Sequence, residues 1–262
     1  MSLRTLKSDH RLRWDLIRYK SLSSLQSEAS RSRLGFVWWV LDPILYMAVF
    51  YLVFGLVFER GGDDFIGKLL VALVIWRWFD NSVKACSVSL ASGAGLMRQV
   101  YVSKLLFPLS SILAQGVKFL VVLMILLTFL LFYGIKPGVN WLGLLPLLLA
   151  ELFFISGLGI LLAAITPLIP DIKVVVDYGI QLGFFMSGVF YELSQRPESM
   201  QFLFQFNPKA MIIDQARQIL LNGQGVDWSL LGWIVLASVA CLSVGSFLLA
   251  KFDRDYPTLI LI

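Results

Sequence analysis

Charge is scarce in this chain, and cysteine and histidine are scarcer. Only 15% of the 262 residues are Asp, Glu, Lys or Arg, where a soluble globular protein carries about a quarter. With 58% apolar residues and a mean hydropathy of +0.79, that deficit implies lipid as the main solvent. The two cysteines, Cys86 and Cys241, lie in or beside apolar runs, which argues against a disulfide framework. One histidine, His10 in a basic stretch, excludes a histidine-based metal cluster. No signal-peptide pattern opens the chain, because the first apolar run begins near Phe36 behind a basic segment, so targeting is expected through an internal span. Nucleophile-elbow, HExxH and paired-cysteine metal motifs are missing. The stretch Gly62–Leu69 comes close to a phosphate loop, with Gly67 and Lys68 in place, but Leu69 replaces the magnesium-binding hydroxyl and Asp63 and Asp64 would repel phosphate. No catalytic site is legible, and no cofactor or metal is expected in this chain. The basic residues are not organised as a nucleic-acid surface.

What is present is a series of apolar runs near the length of about 20 residues that a bilayer requires. Six spans are expected, at 36–58, 65–88, 105–133, 141–165, 172–191 and 228–252, giving an all-α integral membrane protein. Residues 1–35 form a cytoplasmic segment, 36–252 the transmembrane domain and 253–262 a cytoplasmic tail. Eight Lys and Arg precede the first span, and Lys84, Arg98 and Lys104 join the second to the third without an acidic residue. The first connection holds Glu59, Asp63 and Asp64 against a single arginine. By the positive-inside bias both termini face the cytoplasm, as an even number of spans requires. Residues 3–33 read as an interfacial helix with Leu12, Leu16 and Tyr19 on one side and Trp14 and Ile17 flanking. Residues 192–221 are too apolar for an ordinary loop and too short to span. Pro197 and Pro208 suit first helical positions, Asn207 a cap and Gly223 a stop, and Ile212, Ala216, Ile219 and Leu220 share a face. An outer re-entrant hairpin is expected there, with a capping loop as the alternative.

A charge in hydrocarbon costs about 2.5–3.5 kcal/mol at mid-span, so each one inside a span needs a partner or a role. Helical spacing places Gly35, Trp39, Asp42, Tyr46 and Phe50 within about 80° of arc on the first span. Asp177, Gln181, Phe184, Gly188 and Tyr191 form a second aromatic-polar stripe on the fifth. The other face of that helix carries Gly179, Gly183 and Ser187, a ridge of small residues suited to close packing. Arg77 and Asp80 are spaced to pair within the second span, while Glu151 and Lys118 look isolated, Lys118 within snorkelling reach of the inner surface. Aromatic-polar stripes avoid lipid by lining a cavity or meeting a partner, and flat aromatic faces match the C–H faces of sugar rings. A carbohydrate path and a protein interface both fit.

The order of a basic interfacial helix, Arg31 and Arg33 leading into Leu34-Gly35-Phe36-Val37-Trp38-Trp39 with Pro43, the belt Trp76-Arg77-Trp78-Phe79, and Phe206-Asn207-Pro208 before the last span resembles the membrane permeases of polysaccharide-exporting ABC transporters, the O-antigen and capsule exporters of Gram-negative bacteria. The resemblance implies a homodimer in the bacterial inner membrane, joined to two copies of a separate ATPase that holds ATP and Mg. It makes Ser92–Lys104 a coupling helix, with Met97, Arg98, Gln99, Val100, Tyr101 and Lys104 toward the ATPase. It makes Arg31 and Arg33 contacts for the pyrophosphate of an undecaprenyl-linked polysaccharide. Trp39, Asp42, Tyr46, Phe50, Asp177, Gln181, Phe184 and Tyr191 would line the channel. Alternatives are a capsule permease, a drug or small-lipid exporter, and a membrane scaffold or ATP-independent channel.

Overall fold

The computed structural model describes residues 3–30, 33–50, 52–53, 65–191 and 207–259, with side chains from Trp14 onward, Met47 excepted. Every regular element among them is helical: α1 (Leu3–Ser30), a 3-10 turn (Gly35–Val37), α2 (Trp38–Phe50), α3 (Phe65–Ser87), α4 (Ser89–Ser92), α5 (Ala94–Gln99), α6 (Leu106–Phe132), a second 3-10 turn (Val139–Gly143), α7 (Leu144–Ile165), α8 (Ile172–Met186), α9 (Pro208–Leu220), α10 (Trp228–Lys251) and α11 (Tyr256–Leu259). The acidic first connection, and Glu192 with Pro197 in the first half of the expected hairpin, lie outside the described residues.

Among the described residues three stretches are long and apolar enough to cross a bilayer: Leu106–Phe132, Val139–Ile165 and Trp228–Lys251. Trp14–Ser30 and Gly35–Phe50 form a further apolar pair, bent by 96°. Gly35 sits at that bend with φ +51, a conformation glycine adopts without strain. α3 has the length, 23 residues, but carries Lys68, Arg77, Asp80 and Lys84. α8 runs for 15 residues and stops at Met186, short of the expected 191, because Gly188 turns the chain at φ +72.

α3 is the centre of the body. Leu69 through Ile75 are all at most 4% exposed, the pattern of a helix apolar on every side and surrounded on every side. α6, α7, α8 and α9 pack around it. α10 lies along α7, and glycines bring the two backbones together: a Cβ on Gly157 would stand 2.6 Å from the Ser238 carbonyl oxygen, and one on Gly245 2.7 Å from the Leu161 nitrogen. In lipid there is little hydrophobic drive between helices, so such close van der Waals contact is what holds them. The small-residue ridge expected on α8 does not do this. Gly179 has nothing within 4 Å of its Cβ position, and Gly183 meets only the Trp76 ring, at 3.2 Å.

The two ends of the body differ. At one end α1 lies against α6, where the Ser21 hydroxyl donates to the Ser110 carbonyl at 3.0 Å, and α4, α5 and α11 gather beside them. The buried stripe of α1 is Ile17, Ser21, Leu25 and Ala29. Trp14, Leu16 and Tyr19 point away from the protein, while the i, i+4 series through Ile17 is the one that meets α6. At the other end stands α9. Its C-terminal half neighbours the beginnings of α3 and α7, with Arg217 Nε donating to the Lys68 carbonyl at 2.9 Å and Trp141 Nε1 to the Leu220 carbonyl at 3.2 Å. Its first turn lies deeper, where Lys209 Nζ donates to the Ile75 carbonyl at 2.9 Å.

Candidate transport site

The two aromatic-polar stripes meet. Phe50 of α2 lies 6.1 Å from Phe184 of α8 and 5.2 Å from Phe190, and Phe184 packs on Trp76 of α3 at 5.5 Å. Each such pair adds about 0.5–1.5 kcal/mol beyond the area it buries. Tyr46 stands 4.8 Å from Phe50 and lies under the Arg77 guanidinium at 4.4 Å. Toward the α1 end, Trp39 is half-buried against Phe36 at 4.8 Å, with the Lys118 ammonium 5.6 Å from its ring. On α8 the stripe divides. Asp177 and Gln181 are exposed, while Phe184 is turned inward and the Tyr191 hydroxyl donates to the Phe185 carbonyl at 3.1 Å. Among the described residues α8 buries only Val176 and Ile180, and its Asp177–Gln181 face is exposed.

The charged groups find partners on other helices, and three expectations change. Arg77 does not pair with Asp80. It bonds Asp42 of α2, while Asp80 pairs with Lys84 one turn on, at 2.5 Å. Spacing inside one helix cannot reveal a carboxylate arriving from another. Lys118 is not isolated, since it bonds Glu28 of α1. Glu151 is not isolated either: it is wholly buried and bonds the Lys209 ammonium, which also lies 5.2 Å from the Phe79 ring. Around Asp42, Arg77 and Lys118 opens a cavity of about 440 Å³, lined also by Glu28, Lys84 and Trp38.

Lys209 and Arg217 are the residues that pattern reading missed. Asn207 caps α9 as expected, its side-chain oxygen accepting from the Lys209 and Ala210 amides at 3.1 and 3.4 Å, and Pro208 takes the first helical position. That cap aims Lys209 at Glu151. Arg217, 6% exposed, gives Nη1 to the Gly188 and Tyr191 carbonyls at 2.8 and 3.2 Å and Nη2 to that of Val189 at 2.8 Å. Those carbonyls follow the end of α8, where helix geometry leaves acceptors without donors. The signal for Lys209 was available: a carboxylate inside a span, Glu151, demands a cation.

The segment between α3 and α6 folds as α4, α5 and an extended run to Lys104. Arg98, Gln99, Val100 and Tyr101 are exposed, Tyr101 at 82%. Met97 and Lys104 are buried and fasten it from beneath. Asp253, just after α10, accepts from the Tyr101 hydroxyl at 2.9 Å and pairs with Lys104 at 3.6 Å. Tyr256 plugs the same corner with its hydroxyl on the Ala164 carbonyl at 3.0 Å, and burial, with the Asp253 charge second, pushes its pKa up to about 12. Arg33 is exposed at the bend before α2, and Arg31 lies outside the described residues. No group of three or more metal-ligating side chains occurs among the described residues.

Residues 22–221, from within α1 to just past α9, match the ABC-2 type transporter family. The chain belongs to that family. As an ABC-2 type transporter chain it is a multi-pass membrane protein, and its relatives are transport subunits. A protein named O-antigen export system permease protein RfbA in Klebsiella pneumoniae is 26% identical over 211 residues, 80% of this chain and 82% of its own length. One of the same name in Myxococcus xanthus is 26% identical over 254 residues, 94% and 98% of the two chains.

Proposed function

We propose that this chain is the six-span permease subunit of an ATP-driven exporter, moving lipid-linked polysaccharide of the O-antigen type from the cytoplasm to the periplasm. The observation that carries this reading is the near full-length similarity to O-antigen export permeases. Two copies form the path in the inner membrane, with both termini cytoplasmic, and two copies of a separate ATPase supply ATP and Mg. The end that holds α1, α5 and α11 is the cytoplasmic one, and α9, reaching from mid-depth to the opposite end, is the second limb of a re-entrant hairpin. Arg98, Gln99, Val100 and Tyr101 present themselves to the ATPase, while Met97 and Lys104 hold that surface in place. Trp39, Asp42, Tyr46 and Phe50 line the path with Asp177, Gln181, Phe184 and Tyr191, and the exposed Asp177–Gln181 face turns toward the second copy. Arg31 and Arg33 meet the pyrophosphate of the undecaprenyl carrier at the inner surface. ATP binding favours one of two dimer states, and the coupling segment transmits that preference.

The test is deletion of this gene and, separately, of the ATPase gene in the native host, with surface polymer read by gel and antibody. Both deletions are expected to abolish surface polymer while lipid-linked polymer accumulates inside. Normal surface polymer after either deletion would overturn the reading.

A further inference from the structure

Charge stops at one level in three neighbouring helices. Moving away from the α1 end, α2 has none after Asp42, α3 none between Arg77 and Lys68, and α6 none after Lys118. Those three residues line the cavity described above. Past that level a groove of about 480 Å³ runs between α2, α3 and α6, lined wholly by apolar side chains, among them Ile44, Leu70, Val74 and Phe129. Val122 borders both spaces, so the two adjoin. From Val74 to Ile66 the groove follows α3 for eight residues, about 12 Å at 1.5 Å per residue. That is most of the hydrocarbon depth of a single leaflet, about 15 Å. A polar pocket adjoining an apolar slot that matches most of a leaflet's depth has the form of a lipid site.

The charges select the head. The carboxylates are the open halves of their ion pairs: the Asp42 side chain is 59% exposed and Glu28 54%, against 27% for Arg77 and 16% for Lys118. A head bearing only negative charge would leave those exposed oxygens without a donor. A primary ammonium donates hydrogen bonds to them and lies close to Trp38 and Trp39, whose faces attract cations. Lys84, 42% exposed at the cavity wall, and the Arg77 fork are then placed for a phosphate. We propose that cavity and groove form one binding site for a bilayer glycerophospholipid whose zwitterionic head carries phosphate and a primary ammonium, held with one acyl chain between α2, α3 and α6.

The experiment uses the full-length chain, purified and delipidated, with retained lipid counted by native mass spectrometry. The probes are phosphatidylethanolamine, phosphatidylcholine and phosphatidylglycerol with identical acyl chains. The wild type is expected to retain phosphatidylethanolamine at least about tenfold better than the other two, a difference of about 1.4 kcal/mol. Ala48→Trp, at an exposed groove position, fills the slot and removes that retention. Glu28→Gln, also exposed, leaves the slot open but erases the advantage over phosphatidylglycerol. Equal retention of all three lipids, a preference for phosphatidylglycerol, phosphatidylcholine held as well as phosphatidylethanolamine, or unchanged retention in a monodisperse Ala48→Trp protein would each overturn the site. Neither ATPase nor polymer is present in this assay, so its failure is distinct from failure of the export reading.

Discussion

Lys209–Glu151 and Arg77–Asp42 both tie one helix to another, yet their surroundings are opposite. The first pair is sealed, with the lysine side chain 4% exposed and the glutamate 0%. The second stands at a cavity mouth, 27% and 59% exposed. A sealed pair has lost its water, so each charge depends on the other, and its removal is costly out of proportion to what the bond contributes. An open pair keeps solvent or ligand as an alternative partner. Lys209–Glu151 thus fixes where α9 sits against α3 and α7, while Arg77–Asp42 keeps an exposed carboxylate at the cavity wall.

The sharpest way to break this contrast is Lys209→Met, which leaves Glu151 buried and unpaired. A loss of about 3–5 kcal/mol is expected, read as a fall in melting temperature of the purified protein, and Glu151→Met added to it should recover most of the loss. A double variant as unstable as the single one would show that the pair is not what the site depends on. Next is Arg217→Lys, which keeps the charge but gives up the planar fork that reaches four carbonyls. Stranding some of those acceptors should cost about 1–3 kcal/mol, with faster hydrogen exchange at residues 186–191 as the local signature. The smallest stability change belongs to Arg77→Gln, within about 1 kcal/mol for a partly exposed pair, yet surface polymer should drop clearly. A melting loss as large as that of Lys209→Met, or full export, would erase the distinction between the two pairs.

How far all this was legible varies by element. Hydropathy placed the bounds of α6, α7 and α10 to within a few residues, because long uninterrupted apolar runs leave little choice in lipid. The cap and face of α9 were readable from Asn207-Pro208 and from the spacing of Ile212, Ala216, Ile219 and Leu220, all buried. What lay beyond reading was every contact between helices. Asp42 and Arg77 are 35 residues apart and Glu151 and Lys209 58 apart, and periodicity within one helix is blind to such separations. The side of α1 that meets the protein was not legible for the same reason: its amphipathicity is weak, and the partner, α6, decides which face is inside. The close glycine seam fell to α7 and α10 instead of α8, since small residues permit approach without naming the neighbour.

Asp253 follows the last long helix, yet it fastens Tyr101 and Lys104, some 150 positions earlier. During synthesis the stretch from α5 to Lys104 is therefore unfastened until the last long helix, α10, has been made. A chain cut just before Asp253 would keep all of its apolar helices and lack the latch. Its Arg98–Tyr101 surface would lack that anchor, so residues made last fix the shape of a surface laid down early.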